Sequence, residues 1–174
     1  MPQVEQDFFD MKKFWLRSTR RASLARALAQ LLHPTTQAES FAIGLLQDMG
    51  LPVLVNTHPN KYKEILELWN ETPHKPLHII EREYFDFDHF TIGGLMAGEW
   101  KLPDKLVAAI SRDNPSEIDL SLNILAFIPL EDEELIKQAL IRVCVESHNL
   151  EEEVITQAVE EALAASKELS ALLR

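Results

Sequence analysis

Three groups of side chains in the sequence carry the elements of metal-assisted phosphate chemistry. They are the Gln47-Asp48 pair, the Asp88-His89 pair, and the basic cluster Arg17, Arg20 and Arg21. Imidazole nitrogens and carboxylate oxygens can hold a divalent metal that acidifies a bound water. Arginines that share a helix face can grip a phosphate or an acidic partner.

Each group also has a structural interpretation, which the sequence leaves open. A carboxylate at the C-terminal end of a helix is disfavoured by the helix dipole, so Asp48 would gain from pairing with Arg17, Arg20 or Arg21. His89 could be a packed histidine that is hydrogen-bonded to the backbone or to a carboxylate. The arginines could equally pair with carboxylates elsewhere in this acidic chain.

Other arrangements that could do chemistry are weaker. His74 and His78 have the spacing of a helical metal pair, but Pro76 lies between them and breaks the shared helix face. Cys144 is the single cysteine and lies in an apolar run, which is typical of a buried thiol. We therefore expect no resident metal and no cofactor.

Composition restricts the classes of partner. The 174 residues carry a net charge of −11, which disfavours binding to nucleic acid or to anionic membranes. The longest uninterrupted apolar runs fall short of a membrane span, and the N-terminal residues do not resemble a signal segment. We expect a soluble protein of the cytoplasm.

Helical periodicity runs through nearly the whole chain, and no alternation typical of strands is present. Prolines, a glycine and capping residues mark the ends of the predicted helices. The sequence predicts one all-α domain over residues 1–174, with about eight or nine helices. They are expected at 7–32, 36–50, 59–72, 77–84, 89–99, 104–112, 118–128, 131–148 and 151–173, with Asp88 and Asn149 among the residues that begin helices.

Three segments together resemble the HDOD domain, a relative of the HD phosphohydrolases found in bacterial signalling proteins. They are the FWLRS segment at 14–18 with the alanines after it, the SFAIGLLQDMG segment at 40–50, and the EYFDFDHFTIGGL segment at 83–95 that continues to WKLP at 100–103. The clear resemblance covers residues 8–128, and 129–174 are expected to be C-terminal helices of the same domain. It implies an HD-domain-like helix bundle that lacks several helices usual before the Trp15 helix, so that the chain is either part of a longer protein or only the HD-like half.

The resemblance also assigns the positions of the HD metal ligands. In HD phosphohydrolases these are an early histidine, a His-Asp pair and a late aspartate. The matching positions here are Ser18, Gln47-Asp48 and Phe127, so three of the four ligands are replaced. A neutral amide is a weak ligand and a phenyl ring cannot coordinate at all. We therefore expect that the chain is not an enzyme.

Two functions follow as hypotheses. The first is a non-catalytic signalling module that binds a signalling protein or a second copy of itself, with no nucleic-acid partner and no membrane contact. The alternative is a residual metal-dependent phosphohydrolase or nucleotide-binding domain that uses Asp48, His89 and the arginine cluster. The amphipathic C-terminal helix is either a contact surface or a cover for the core; its apolar residues are Val154, Ile155, Val159, Leu163, Leu169, Leu172 and Leu173.

Overall fold

The structure, a computed structural model, describes residues 6–72, 74–112, 119–126 and 128–173. These residues form ten α-helices and a short 3-10 turn at Pro34–Thr36, without any strand, which confirms the all-α prediction. Leu51–Val55 lies within a helix that is additional to those expected. The helices are α1 Met11–Leu32, α2 Gln37–Leu46, α3 Gly50–Thr57, α4 Pro59–Glu71, α5 Leu77–Phe85, α6 His89–Glu99, α7 Asp104–Ser111, α8 Asp119–Leu125, α9 Glu133–His148 and α10 Glu152–Leu172.

The described residues divide into two compact units. The first, called here the α3–α7 unit, contains residues 6–11, 46–72 and 74–112. The second, called the α1–α10 unit, contains residues 12–45, 119–126 and 128–173. The expectation of one domain over the whole chain stays a prediction.

The core of the α3–α7 unit forms where α3, α4 and α5 meet. Its fully buried side chains are Leu54, Val55, Tyr62, Ile65 and Ile80. Tyr62 and Ile65 are three residues apart, so they lie on one face of α4, which turns inward. α6 and α7 cross closely at Gly94 and Ser111. A Cβ atom at Gly94 would lie only 2.6 Å from the Cβ of Ser111, so the glycine permits this crossing. This packing fixes α6, which carries His89 at its first residue.

The α1–α10 unit combines the long N-terminal helix with the two C-terminal helices. Ala22 and Ala25 of α1 are fully buried. At Ala22 the backbone of α2 approaches closely, because a Cβ atom at Gly44 would lie 2.9 Å from the Cα of Ala22. The C-terminal helix covers the core through Ile155, Val159 and Leu163, all nearly inaccessible. The core-cover interpretation of α10 therefore holds for these three residues.

Some apolar residues of the same helix face solvent instead. Val154 is 43% exposed and Leu172 is 81% exposed. Cys144 on α9 is fully buried as a free thiol, and burial raises its pKa. The interpretation as an inert core cysteine fits this environment.

Side-chain caps begin α6 and α9, whereas α3, α4, α5, α7 and α10 have none. The helix expected at 36–50 ends at Leu46, and Gly50 begins α3 instead. Asn149 was expected to begin the last helix, but it ends α9 in the left-handed conformation, with φ of 53°. Asparagine tolerates this conformation better than most residues, so it serves as well at a C-terminus as at an N-terminus. Asp132 caps the start of α9 by accepting hydrogen bonds from the amides of Glu134 and Leu135.

The stretch Pro34–Thr57 bears on the expectation that the chain holds no membrane span. Among the described residues it is the one helical stretch long and apolar enough to cross a membrane, with a mean hydropathy of 1.3, whereas the sequence was expected to hold none. Half of its most apolar window is buried within the protein, and the turn at 47–49 interrupts it. Core helices of soluble proteins also reach this length and hydropathy, so the stretch is weak support for a span.

Candidate functional site

The loop between α5 and α6 positions His89. Asp86 ends α5 in the left-handed conformation, with φ of 64°, and Asp88 then caps α6. The Asp88 carboxylate accepts hydrogen bonds from the amide and the hydroxyl of Thr91, both at 2.9 Å, as its position in the sequence predicted. The Nε atom of Arg82 donates to its other oxygen at 2.8 Å.

These contacts determine the charge of Asp88, whose side chain is wholly inaccessible. Burial alone would raise its pKa. The two hydrogen bonds from Thr91, together with the positive charge of Arg82, outweigh burial and hold the pKa below its ordinary value. Asp88 is therefore an ionised cap that fixes the residue after it.

Glu81 on α5 holds the imidazole of His89. The Glu81 Oε2 atom lies 2.5 Å from Nδ1 of His89 and accepts the His89 backbone amide at 2.9 Å. Its Oε1 atom accepts the hydroxyl of Tyr62 from α4. Glu81 and Tyr62 are fully buried and His89 is 5% exposed. We call this arrangement the Tyr62–Glu81–His89 chain.

Burial comes first in raising the pKa of Tyr62, and the Glu81 carboxylate adds to it. The tyrosine therefore stays protonated and donates. Because Nδ1 of His89 faces a carboxylate, that nitrogen carries a hydrogen, and the ring orientation is fixed. His89 is thus a packed histidine that is hydrogen-bonded to a carboxylate.

The turn after α2 lies against the other side of the His89 ring. The Oδ1 atom of Asp48 is 3.8 Å from Nε2 of His89, and the Gln47 amide lies 3.5 Å from the same oxygen. Gln47 and Asp48 are each 8% exposed. A Cβ atom at Gly50 would lie 2.1 Å from the carbonyl oxygen of His89, so only glycine lets the turn approach this closely.

The metal-binding capacity of this group follows from its donors. On the Nε2 side of the ring the α3–α7 unit offers one imidazole nitrogen, one carboxylate and one neutral amide. Glu81 is on the Nδ1 side and cannot share an ion with them. No cluster of three or more histidine, cysteine or acidic residues suited to a metal occurs in the described part of the chain. These residues fit an HD-type metal poorly.

The other predicted site residues belong to the α1–α10 unit. Ser18 is buried on α1. Arg20 donates to the carbonyls of Leu130 and Glu131, each at 2.8 Å, and forms an ion pair with Glu133 at 2.5 Å. It thereby ties α1 to the segment before α9.

The remaining predicted site residues are Arg17, Arg21 and Phe127. The Nε atom of Arg17 lies 3.7 Å from the Glu131 carboxylate. Arg17 and Arg20 therefore both pair with carboxylates of the same chain. Arg21 is buried. An ion pair between Asp48 and one of these arginines stays a prediction. Phe127 lies outside the described residues.

One arginine and one histidine lie against Phe90, next to His89. The Arg112 guanidinium lies 3.8 Å from the centre of the Phe90 ring, and the His78 ring lies 5.7 Å from it. Burial, followed by the Arg112 charge, lowers the pKa of His78. His74 precedes α5 while His78 lies within it, so the two do not share a helix face, as predicted.

Sequence reasoning missed Glu81 and Tyr62. Glu81 stands in the polar run Glu81-Arg82-Glu83, which by composition belongs to a solvent-exposed face. The available signal was Tyr62, which lies on an apolar stripe and, once buried, needs a partner for its hydroxyl. That partner could not be identified from spacing, because Tyr62 and Glu81 lie on different helices.

Comparison with known proteins gives a consistent family assignment. The family model of the HDOD domain matches residues 1–115. An uncharacterised protein of Treponema pallidum (strain Nichols) is 26% identical over 102 residues, which are 58% of this chain. The chain spans only 20% of the length of that relative.

Two crystal structures share the fold. A candidate phosphohydrolase from Shewanella amazonensis SB2B superposes with a TM-score of 0.75 at 21% identity, over 100% of this chain and 67% of its own. A candidate signal transduction protein from Marinobacter aquaeolei VT8 gives a TM-score of 0.62 at 17% identity, over 91% of this chain and 38% of its own. At these identities the likeness extends to the fold alone.

Proposed function

The chain belongs to the HDOD family, and on that premise we propose that it is a non-catalytic module of bacterial signal transduction that acts by binding another protein. The observation that carries the proposal is the donor set around His89. Its Nδ1 side is occupied by Glu81, and its Nε2 side faces one carboxylate and the amide of Gln47. Hydrolytic metal sites need more charge and more strong donors than this.

The role of Gln47 can be isolated by restoring an imidazole. Gln47→His would place a second histidine beside Asp48, opposite a His89 ring that Glu81 already orients. We expect the wild-type protein, after chelation and dialysis, to take up no stoichiometric Mn²⁺ in elemental analysis. Gln47→His should bind Mn²⁺ at least about tenfold more tightly by calorimetry.

Gln37→His provides the matched control, because Gln37 begins α2 and precedes Gln47 by ten residues in the chain. It should leave Mn²⁺ affinity unchanged. Stoichiometric metal in the wild-type protein, with hydrolysis of p-nitrophenyl phosphate that Asp48→Asn abolishes, would overturn the non-catalytic proposal. It would establish the alternative instead.

That alternative is a residual metal-dependent phosphohydrolase or nucleotide-binding domain, and one observation favours it. The hydrogen bond to Glu81 leaves the Nε2 lone pair of His89 facing Asp48, as in metal-ligating histidines that are oriented by a carboxylate. Titration with a cyclic dinucleotide tests the nucleotide form. Binding that is lost in His89→Ala and in Arg112→Ala would support it.

The remaining expectations concern partner and location. The net charge of −11 is the basis for proposing a protein partner rather than nucleic acid, and we further propose a cytoplasmic location. Fractionation of cells that produce the full protein tests the location. Recovery in the membrane fraction would contradict it.

A further inference from the structure

An open cleft of about 520 Å³ runs between α1 and α10, within the α1–α10 unit. Its α1 wall includes Arg26, Ala27 and Gln30, and Phe41 of α2 contributes to the lining. Seven residues of α10 line the other wall, and three of them are alanines, at 158, 162 and 165. It lies outside the α3–α7 unit that contains His89, so the proposed function has not used it.

The α10 wall has the shape of a helix-binding surface. Its lining residues recur at spacings of three and four from Val154 to Leu169, which corresponds to a length of about 22 Å along the helix. The small side chains in the middle leave room between the helices, while Val154 and Leu169 provide apolar surface at the ends. An elongated open cleft of this kind differs from the closed cavities that bury most of a small ligand.

Charge along the rims indicates the kind of occupant. α10 carries five glutamates and one lysine. Glu161 lines the cleft, and Glu168 lies two helical turns further along the same rim. No cation among the described residues pairs with either carboxylate, although Gln157 donates to Glu161 at 2.9 Å. On the opposite wall, Arg26 is exposed and has no ion-pair partner in the described ranges.

A second copy of this chain is a poor occupant. A two-fold contact along α10 would bring Glu161 and Glu168 of one copy towards the same residues of the other, and like charges at an interface oppose association. A helix with lysine or arginine along one flank would instead neutralise this rim. An acidic residue on its other flank would meet Arg26.

We propose that this cleft is the docking site for an amphipathic helix of a partner protein. The apolar face of that helix fills the space over Ala158, Ala162 and Ala165, and its basic flank faces Glu161 and Glu168. This inference rests on the proposed function, since it identifies the surface through which the module would bind its partner.

Peptide selection on the full chain tests the proposal and does not require the partner to be identified first. A displayed library of random peptides of about 20 residues is selected for binding to the wild-type protein. We expect enriched peptides to carry apolar residues at helical spacing and a net positive charge. Their affinity is then measured by fluorescence anisotropy on two variants that differ by one position on α10.

Ala165→Trp fills the cleft, whereas Ala164→Trp places the same side chain outside the lining on the same helix. Both alanines are exposed, so neither substitution crowds the core. Ala165→Trp should weaken binding at least about tenfold and Ala164→Trp less than about twofold. Glu161→Lys should weaken it as well, and Glu146→Lys on α9 should not.

Several results would overturn the proposal. These are a failure to enrich any peptide, enriched peptides without helical periodicity or positive charge, and equal affinities for Ala165→Trp and wild type. A dimer in sedimentation that Ala165→Trp dissociates would assign the cleft to a second copy. Circular dichroism establishes that both tryptophan variants are folded. Metal uptake at Gln47–Asp48 is measured separately, so a failed cleft and a failed non-catalytic assignment are distinguishable.

Discussion

Removal of one hydroxyl group should measure the strength of the Tyr62–Glu81–His89 chain. The Glu81 carboxylate is inaccessible to solvent and accepts three hydrogen bonds, from the Tyr62 hydroxyl and from the backbone and ring of His89. Tyr62→Phe keeps the ring in the core and removes one of these donors. Since no water can replace it, we expect the free energy of unfolding to fall by about 1.5–3 kcal/mol, the range for hydrogen bonds to charged groups.

Tyr84→Phe is the matched control, because Tyr84 is the other tyrosine of the chain and is only partly buried. We expect it to change the free energy of unfolding by less than about 0.5 kcal/mol. Urea denaturation, followed by circular dichroism and tryptophan fluorescence, measures both variants. The double variant with Glu81→Gln should reveal a coupling of about 1 kcal/mol or more.

Equal stability of Tyr62→Phe and Tyr84→Phe would refute the reasoning. So would additive effects of Tyr62→Phe and Glu81→Gln, since residues that form one hydrogen bond should not act independently. The slope of the free energy of unfolding against urea concentration must also be compared between the variants and the wild-type protein. Two compact units could unfold separately, and a change of slope would reveal this.

Further predictions concern the pH dependence, a close approach and the thiol. Because the pKa of Asp88 is lowered in the folded protein, the ionised carboxylate stabilises the fold above pH 3.8, and this stabilisation is lost as the pH falls through the folded-state pKa. Asp88→Asn should flatten the acid-side loss of stability in denaturation measured against pH. An unchanged pH profile would contradict this role of Asp88. Gly50→Ala should lower the thermal midpoint strongly, because the new Cβ meets the carbonyl of His89. Gly98→Ala on α6, where a Cβ has no neighbour within 4 Å, should instead stabilise the protein by up to about 1 kcal/mol. Similar effects of the two substitutions would refute the close approach at Gly50. Cys144 should react with a disulfide reagent slowly in the native protein and rapidly in denaturant, and fast native labelling would mean that α9 opens readily.

The elements of the fold could be predicted from sequence because their signals are local. Asp88 as a cap and the apolar stripe around Tyr62 and Ile65 depend on residues three or four apart, and the structure has both. Asn149 was misassigned because the same residue type suits both ends of a helix. The extra helix α3 was missed because its apolar run is short and holds a proline at 52, which is tolerated in a first helical turn.

The candidate site could be predicted only in part. The family resemblance placed Asp48 and His89 in one cleft, but no local pattern predicts their proximity, because it depends on how the turn at 47–49 packs on α6. The role of Glu81 could not be predicted for a different reason. A buried carboxylate looks like any surface glutamate in a sequence, and only the three-dimensional arrangement brings its donors together.

The Tyr62–Glu81–His89 chain also has a consequence for local opening of the protein. Glu81 belongs to α5, and its donors belong to α4 and α6. Separation of any one of these helices would leave a charge or a donor unsatisfied in the interior, so opening of one helix alone is unfavourable. Amide hydrogens in α4, α5 and α6 should therefore exchange with solvent in one concerted event, which makes the three helices a single cooperative folding unit.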